Sequence, residues 1–221
     1  MEIKQFRKKY DLELISASNA EIILGRMVFH SLFGRPKFQH AGMPHHIFNA
    51  FLDAKLLSKE DWEALYEDIR STPLIVAQFA ESTVNVETNM VTDLEYPEIG
   101  KLENSFELSK IRKFTFGDLQ ARVMSSLMRV RIDDYLELLK RNHWEDYDGR
   151  IRKVFMITEL YYGSIKIVIE REFKENFEAG LKNTSLKVKN EIASGKSVEY
   201  TFDHQDVPFA MRIEKVRTFN G

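Results

Sequence analysis

The sequence predicts an α+β fold in which a twisted, mostly antiparallel sheet is flanked by short helices. Two observations carry this prediction: apolar residues recur at helical spacing in residues 44–70, and they alternate with polar residues in several stretches between residues 74 and 213. A turn at residues 194–196 joins two alternating stretches, which is typical of an antiparallel hairpin. The 221 residues contain no evident linker or internal repeat, so we expect residues 1–221 to form a single domain.

The first two helices are predicted from an apolar stripe and from a capping signal. The first helix lies within residues 44–57. Its stripe consists of Ile47, Phe48, Phe51 and Leu52. Ser58 and Asp61 form a capping pair that predicts the start of the second helix, which runs to Arg70 before Pro73.

The strands of the middle region are predicted from alternation. Residues 74–90 alternate over much of their length, and residues 106–123 resume the pattern with a break at Gly117 and Asp118. The polar stretch between them, residues 92–104, is typical of a loop.

The last third gives the clearest pattern. Residues 154–171 predict one or two strands, with Gly163 as a bulge. Apolar side chains four apart in residues 173–181 indicate a short helix or turn. Residues 186–192 predict the strand before the hairpin turn, and residues 209–213 predict a final strand.

Composition and charge exclude several classes of protein. The chain is 43% hydrophobic and 30% charged, as folded globular proteins are, and its net charge of −2 gives no basic excess for nucleic-acid binding. It contains no cysteine, which excludes disulfides, thiolate metal sites and acylated cysteines, and which fits a cytosolic setting. No apolar run approaches the roughly 20 residues of a membrane-spanning helix.

Signals for catalysis or cofactor binding are weak. Four of the six histidines lie between His30 and His46 without HExxH spacing, and we expect them at the surface or at a helix start rather than around a metal. Two carboxylate pairs remain, Asp133 with Asp134 and Asp146 with Asp148. We expect the first pair to open a short helix over residues 132–139 and the second to lie in a solvated turn over residues 145–150. No nucleotide-binding or nucleophile motif occurs, so we expect neither a cofactor nor enzymatic activity.

Three patches in the second half of the sequence resemble the gasdermin pore-forming domain. VFMITELYYGSIKIVIE, residues 154–170, is similar to a family strand with an aromatic–aliphatic–aliphatic–Thr–Glu core followed by an alternating strand. Residues 111–123 and 132–139 resemble the phenylalanine-rich strand and short helix that precede it in bacterial members. Residues 180–216 are similar to the closing segment, with a lysine-bearing strand, a hairpin and a final Pro–Phe–Ala strand. The resemblance covers residues 105–217.

The resemblance implies a cell-death effector that is soluble and inactive in the cytoplasm and moves to the inner face of the cell membrane on activation. There it would oligomerise into a β-barrel pore through extended hairpins. Its expected partners are anionic lipids, further copies of itself, and an activating protease or partner protein. The candidates for membrane insertion are Ile165, Ile167, Ile169, Val198, Tyr200 and Phe202. The candidates for docking on the lipid surface are Phe6, Arg7, Lys8, Lys9, Lys187 and Lys189.

The length of the alternating strands sets a condition on this hypothesis. A membrane β-strand needs about 9–11 residues with one apolar and one polar face. The apolar face that begins after Ser164 is interrupted by Arg171, so the strands reach that length only if residues 173–183 unfold and extend them. An ordinary half-buried sheet would show the same alternation.

The sequence departs from the gasdermin pattern in two ways. Bacterial members carry a lipidated cysteine beside the first methionine, whereas this chain has Glu2 there and no cysteine. Membrane attraction is therefore expected from charge and from exposed apolar side chains. Gasdermins are also restrained by a C-terminal segment that a protease removes, and here the last strand-like residue is Val216. Either such a segment is missing from this sequence, or restraint works as in the tailless fungal cell-death regulators that resemble the family.

Two other classes of function stay open. A non-enzymatic cytosolic interaction module would bind a protein partner through a sheet edge or an amphipathic helix. An enzyme with an unrecognised site is the remaining class, and no motif in the sequence points to its chemistry.

Overall fold

The computed structural model describes residues 8–15, 22–29, 44–77, 84–86, 106–184, 186–204 and 208–219, so the loop predicted over residues 92–104 lies outside it. The helices that begin and end within these ranges are α1 (Ile47–Asp53), α2 (Lys59–Arg70), α3 (Ser126–Asn142), α4 (Trp144–Asp146) and α5 (Lys174–Leu181). The strands are β1 (Glu13–Leu14), β2 (Met27–Val28), β3 (Ile75–Val76), β4 (Val84–Val86), β5 (Ile111–Val123), β6 (Phe155–Glu170), β7 (Val188–Ser194), β8 (Ser197–His204) and β9 (Ala210–Lys215).

The nine strands of the described residues form one curled sheet. Its main path has the order β1-β9-β6-β5-β3; β2 also pairs with β6, β4 with β5, and β8 with both β6 and β7. The pairs β2–β6, β4–β5, β6–β8 and β7–β8 are all antiparallel. Helices flank the sheet, so the predicted α+β class with a mostly antiparallel sheet is confirmed.

The chain divides into two compact units, each assembled from separate segments. The first comprises Met1–Asn19, Val76–Ala121 and Tyr161–Ala210, and the second comprises Ala20–Ile75, Arg122–Leu160 and Met211–Gly221. The strands β3, β5, β6 and β9 contribute residues to both units. The single domain expected from the sequence stays a prediction.

The first unit has an aromatic core. The ring of Phe116 stacks on that of Phe209 with 4.0 Å between centroids, and Phe114 meets Phe116 edge to face at 5.2 Å. Phe106 meets Phe177 in the same edge-to-face way at 5.1 Å. Both Phe114 and Phe116 are buried, as their predicted common face requires. Aromatic pairs in these geometries stabilise a core beyond the area that they bury.

The second unit contains the two helix starts that the sequence predicts. His46 caps α1, because its Nδ1 accepts a hydrogen bond from the Phe48 N–H at 3.2 Å, while its Nε2 donates to the Leu24 carbonyl at 2.8 Å. Ser58 caps α2: its hydroxyl accepts from the Asp61 N–H at 3.1 Å and donates to the Asp61 carboxylate at 2.6 Å. The predicted positions of both helices, and of His46 at a helix start, are therefore confirmed.

Helix α3 is longer than predicted. It has 17 residues and begins at Ser126, where the Ser125 hydroxyl accepts a hydrogen bond from the Met128 N–H at 3.2 Å. Asp133 and Asp134 therefore lie in the middle of the helix, and the prediction that they open it is wrong. The signal that was missed is the serine cap together with Met128, which continues the buried stripe one turn towards the N-terminus.

The prediction of a turn over residues 145–150 is also wrong. Helix α4 continues there into a π-helical turn, Tyr147–Ile151. Tyr147 and Ile151 are both buried, and this burial compensates for the polar residues between them. Tertiary packing has overridden a local sequence that favours a turn.

The strands before residue 124 differ from the prediction in their extent. Of the alternating residues 74–90, Ile75–Val76 and Val84–Val86 are strands, and positions 78–83 and 87–90 lie outside the described residues. Strand β5 runs unbroken through the predicted break, and the distortion there is confined to Asp118, which has a φ of 46°.

Candidate membrane-inserting hairpin

The candidate insertion region consists of β6, α5, β7 and β8, all in the first unit from Tyr161 onwards. Strand β8 pairs antiparallel with β6 on one side and with β7 on the other, so β6 and β7 run parallel. Helix α5 is the crossover that returns the chain from the end of β6 to the start of β7. The predicted turn at Gly195 and Lys196 then joins β7 to β8 in the antiparallel hairpin that the sequence indicated.

The structure brings the six predicted insertion residues together on one face of the β6–β8 pair. Ile167 lies opposite Tyr200, and Ile169 lies opposite Val198. Each of the six side chains is at most 1% exposed. They are Ile165, Ile167, Ile169, Val198, Tyr200 and Phe202. In this conformation the common face is therefore core, and it fits the ordinary half-buried sheet that the same alternation allows.

Helix α5 packs against this face at Tyr200. Its Phe177 is fully buried, and the Phe177 ring lies 4.8 Å from that of Tyr200, centroid to centroid. Burying one phenylalanine side chain stabilises the folded state by about 1.5–3 kcal/mol. Since α5 has only eight residues, the tertiary contact holds it in place far more than its own helical propensity does.

Polar contacts fasten α5 to the strands that follow it. The Tyr200 hydroxyl donates a hydrogen bond to the Glu178 carboxylate at 3.1 Å, at the edge of the otherwise buried ring. Lys174 lies 2.6 Å from a Glu191 oxygen on β7 and 3.5 Å from a Glu178 oxygen. Burial, followed by the Glu178 hydrogen bond, raises the pKa of Tyr200, while the Glu191 carboxylate raises the pKa of Lys174. At pH 7 the phenol is therefore neutral and the ammonium charged, as these contacts require.

The opposite face of the strand pair is polar and partly open to solvent. Lys166, Val168 and Glu170 occupy it on β6, each of them half-buried. Arg112 on β5 donates from Nε and Nη2 to one Glu170 oxygen at 3.0 and 2.8 Å, and this hydrogen bond lowers the pKa of Glu170. Strand β6 ends at Glu170, and Arg171 starts a 3-10 turn. The apolar face of β6 therefore ends at Ile169, just before Arg171, the position that the sequence predicted to interrupt it.

Strand β7 is exposed along its whole length. All seven residues from Val188 to Ser194 are exposed, including Val188 and Ile192, and within the described residues β8 is the strand that pairs with it. A register shift between Val188 and Asn190 marks a bulge. Exposure, charged side chains and a bulge are typical of a strand at the edge of a sheet.

Gly163 lies where β6 closely approaches β5. A Cβ atom added there would lie 3.0 Å from the Gly117 carbonyl oxygen and 3.1 Å from the Leu119 side chain. Next to it, the Ser164 hydroxyl donates to the Asp118 carboxylate at 2.8 Å. The irregularity predicted at Gly163 occurs one residue later, as a register shift between Ser164 and Lys166 in the β6–β8 pairing.

The predicted docking residues divide into two groups. Phe6 and Arg7 lie outside the described residues, whereas Lys8 and Lys9 are exposed and the Lys9 ammonium lies over the Tyr10 ring at 4.9 Å. Lys187 and Lys189 are exposed just before and within β7, which places them in the same region as the insertion candidates. The role of Lys8, Lys9, Lys187 and Lys189 in docking stays a prediction.

The sequence did not reveal which residues hold α5 against the sheet. Lys174 and Glu178 are four apart on a predicted helix, which indicates an i,i+4 ion pair. That spacing does not reveal that both side chains also contact the following strands, Glu178 through Tyr200 and Lys174 through Glu191. Those contacts depend on the crossover topology, which strand pairing alone decides.

The described ranges contain neither a cluster of metal-binding side chains nor a membrane-spanning helix. No three histidine, aspartate or glutamate side chains there come close enough together to hold a metal ion. No helix among the same residues is both long and apolar enough to cross a bilayer. No protein-family model matches the sequence, and no curated protein is detectably similar to it.

Proposed function

We propose that this chain is a gasdermin-like pore-forming protein that inserts strands from residues 164–203 into a membrane. The observation that carries the proposal is the face formed by β6 and β8. It is apolar without interruption, its opposite face is mostly polar, and the eight-residue helix α5 packs on it at Tyr200. A strand with one apolar and one polar face is what the wall of a membrane barrel requires.

Insertion of this region requires more than unfolding of α5. Because β6 and β7 run parallel on either side of β8, extending both strands into the connecting segment cannot give an antiparallel hairpin. The β7–β8 hairpin must first leave β6 and turn over. Residues 171–187 then become the tip that joins an extended β6 to an extended β7.

The side-chain contacts that hold α5 in place are few and local, whereas release of β8 from β6 also breaks the backbone hydrogen bonds between these two strands. Detaching α5 exposes Phe177 and breaks the Tyr200–Glu178 hydrogen bond, which contributes about 0.5–1.5 kcal/mol. The ion pair of Lys174 with Glu191 is partly exposed, so solvent screens it and it contributes little. A bilayer can replace the covering helix as the apolar environment of the β6–β8 face, so the rearrangement belongs at a membrane surface.

Attraction to the membrane is assigned to charge and to the interfacial aromatic side chains near the N-terminus. The candidate docking residues at positions 6–9, with Lys187 and Lys189, would meet anionic headgroups on the inner face of the cell membrane. Lys187 and Lys189 adjoin β7, so docking through them brings the hairpin to the surface that it is to enter. Further copies of the chain would then complete the pore.

A reversible disulfide between β6 and β8 tests the proposal. Val168 and Glu199 are directly opposed on the polar face, so Val168→Cys with Glu199→Cys is expected to form a cross-strand disulfide when oxidised. The chain has no cysteine of its own, and the two introduced thiols are therefore the only ones present. The oxidised variant should release no dye from anionic vesicles, and reduction should restore release at the parental rate.

A matched control uses the other neighbour of Glu199. Ile192 is directly opposed to Glu199 on β7, so Ile192→Cys with Glu199→Cys locks the β7–β8 hairpin but leaves it free of β6. This variant should release dye whether oxidised or reduced. Equal dye release by the oxidised β6–β8 variant and its reduced form would overturn the proposed rearrangement, and absence of release by the parent at low salt would overturn pore formation.

A second candidate function rests on β7. An exposed strand that pairs on one side with β8 among the described residues can bind an extended segment of a partner protein by strand addition on its other side. A non-enzymatic interaction module of this kind would leave vesicles intact. Ala193 lies opposite Val198, a residue that bonds to β6, so the Ala193 N–H points away from β8. Replacing Ala193 with Pro removes this outer donor, so it should weaken partner capture while leaving the buried β6–β8 face in place.

A further inference from the structure

Helix α3 carries an exposed seam opposite its buried face. The buried face consists of Met128, Ile132, Leu136 and Leu139. On the outer side Leu127 is 63% exposed and Leu138 is 41% exposed, and the exposed Arg131 and Asp134 lie between them. These four residues, the α3 seam, are spaced four, three and four apart, which is the spacing of a coiled-coil stripe. A helix with such a stripe on its outer side is shaped to pack against another helix.

We propose that the α3 seam docks on the α3 seam of a second copy of this chain, antiparallel and across a twofold axis. An axis between positions 132 and 133 places Leu127 opposite the partner's Leu138, and Arg131 opposite the partner's Asp134. Both pairs are equidistant from that axis, so each contact occurs twice, as an isologous interface requires. The association needs no membrane and is independent of the function proposed above.

Charge complementarity selects both the partner and the direction. A parallel pairing of the two seams would set Arg131 against Arg131 and Asp134 against Asp134, and like charges at facing positions oppose association. The antiparallel pairing sets each cation against an anion. Within its own chain Arg131 lies 3.6 Å from an Asp68 oxygen, and both side chains are exposed, so this pair contributes little and leaves the guanidinium able to reach a partner.

A cavity at one end of the α3 seam enlarges the surface that is available for docking. It has a volume of about 350 Å³ and is lined by apolar side chains that include Ile69, Pro73, Ile75, Met124 and Leu127. Ile75 and Leu127 are exposed at its edge. The antiparallel register brings the partner's Trp144, whose side chain is 55% exposed in this chain, to the level of the cavity along the helix axis. Tryptophan is the residue most often found as an anchor in such a pocket.

The size of the contact sets its strength. Helix α3 is about 25 Å long, and two such helices bury less than the roughly 800 Å² per partner of a standard stable interface. We therefore expect a dissociation constant on the order of 10–100 μM at low salt. Sedimentation equilibrium up to about 1 mM covers this range, and a parent protein that stays monomeric throughout would overturn the proposal.

Two charge reversals and their mixture provide the specific test. Arg131→Glu sets two carboxylates against each other at both symmetric contacts, and Asp134→Lys sets two cations against each other. Each variant alone should self-associate about tenfold more weakly or worse. In a mixture of the two, every facing pair is again attractive, so hetero-association should return to the parental strength. A mixture no stronger than the separate variants would refute the antiparallel register.

Two controls separate docking from folding. Asp133→Lys makes the same charge reversal one residue before Asp134 but off the seam, so it should leave self-association unchanged; weakening equal to that of Asp134→Lys would contradict the proposal. Trp144→Ser should weaken self-association about tenfold, and an unchanged dissociation constant would remove the cavity from the interface. Thermal melts establish that each variant is folded at the concentrations compared.

Discussion

Lowering the pH is expected to destabilise the protein through His46, and His46→Asn is expected to remove that effect. His46 is 1% exposed and lies between the rings of Phe48 and Tyr66, whose centroids are 4.8 and 4.9 Å from its own. Its Nε2 donates to the Leu24 carbonyl and its Nδ1 accepts from the Phe48 N–H, so the folded state uses the neutral ring. Protonating Nδ1 would turn the acceptor of the helix cap into a donor facing a donor.

The size of the effect follows from the pKa. Burial, opposed in part by the Leu24 hydrogen bond and assisted by the charge of Arg26, lowers the pKa of His46 to about 4, whereas an unfolded histidine titrates at 6.5. The unfolded state therefore takes up the proton first. The stability that the neutral ring contributes is complete above pH 6.5 and is lost as the pH falls towards 4. The full loss is about 3.4 kcal/mol, of which about 2 kcal/mol is reached at pH 5.

The assay is urea unfolding at pH 7.5 and at pH 5.0, each with parent and variant. His46→Asn keeps a capping side chain for α1 but does not titrate. The other histidines are common to both proteins, so their contribution cancels when the two pH differences are compared. We expect the parent to lose about 2 kcal/mol more than the variant between these pH values. Equal losses would show that His46 is protonated in the folded state, and would refute the buried neutral ring.

Three further predictions follow from the first unit and the N-terminal cluster. Gly163→Ala should lower the free energy of unfolding by about 1–3 kcal/mol because the new Cβ would press on the β5 backbone. Gly149→Ala should not lower it, since no atom lies within 4 Å of a Cβ built there, and equal free energies of unfolding of the two variants in urea would contradict the close approach at Gly163. Ile167→Thr should slow dye release from vesicles because a hydroxyl would face lipid, whereas Val168→Thr on the other face should not slow it. Equal rates of dye release by the two folded variants would exclude Ile167 from the lipid face. Replacing the three basic residues at positions 7–9 with Glu should weaken binding to anionic vesicles more than about 100-fold at low salt and change binding to neutral vesicles little. If the variant binds anionic vesicles with the affinity of the parent, this cluster is excluded from docking.

The sequence predicted elements wherever a local signal and a buried pattern agreed. The Ser58–Asp61 cap and the turn at Gly195 are set by side chains and backbone a few residues apart, so the sequence locates them without knowledge of the fold. The common face of Ile167, Ile169 and their partners on β8 was likewise visible, because a strand places alternate residues on one side whatever it packs against. Alternation does not show what packs on such a face, and only the structure identifies α5 as the helix that does so.

Tertiary structure alone decided the strand order and everything that depends on it. The position of β8 between β6 and β7 makes α5 a crossover, and it brings Glu178 to Tyr200 and Lys174 to Glu191, contacts between residues 17 to 22 apart in the chain. The neutral state of His46 has the same origin, since its burial depends on Gly25 and Leu24, which lie far from it in sequence. Local propensity acts over a few residues, whereas pairing and burial depend on which distant segments meet, and that choice is made by the packing of the whole chain.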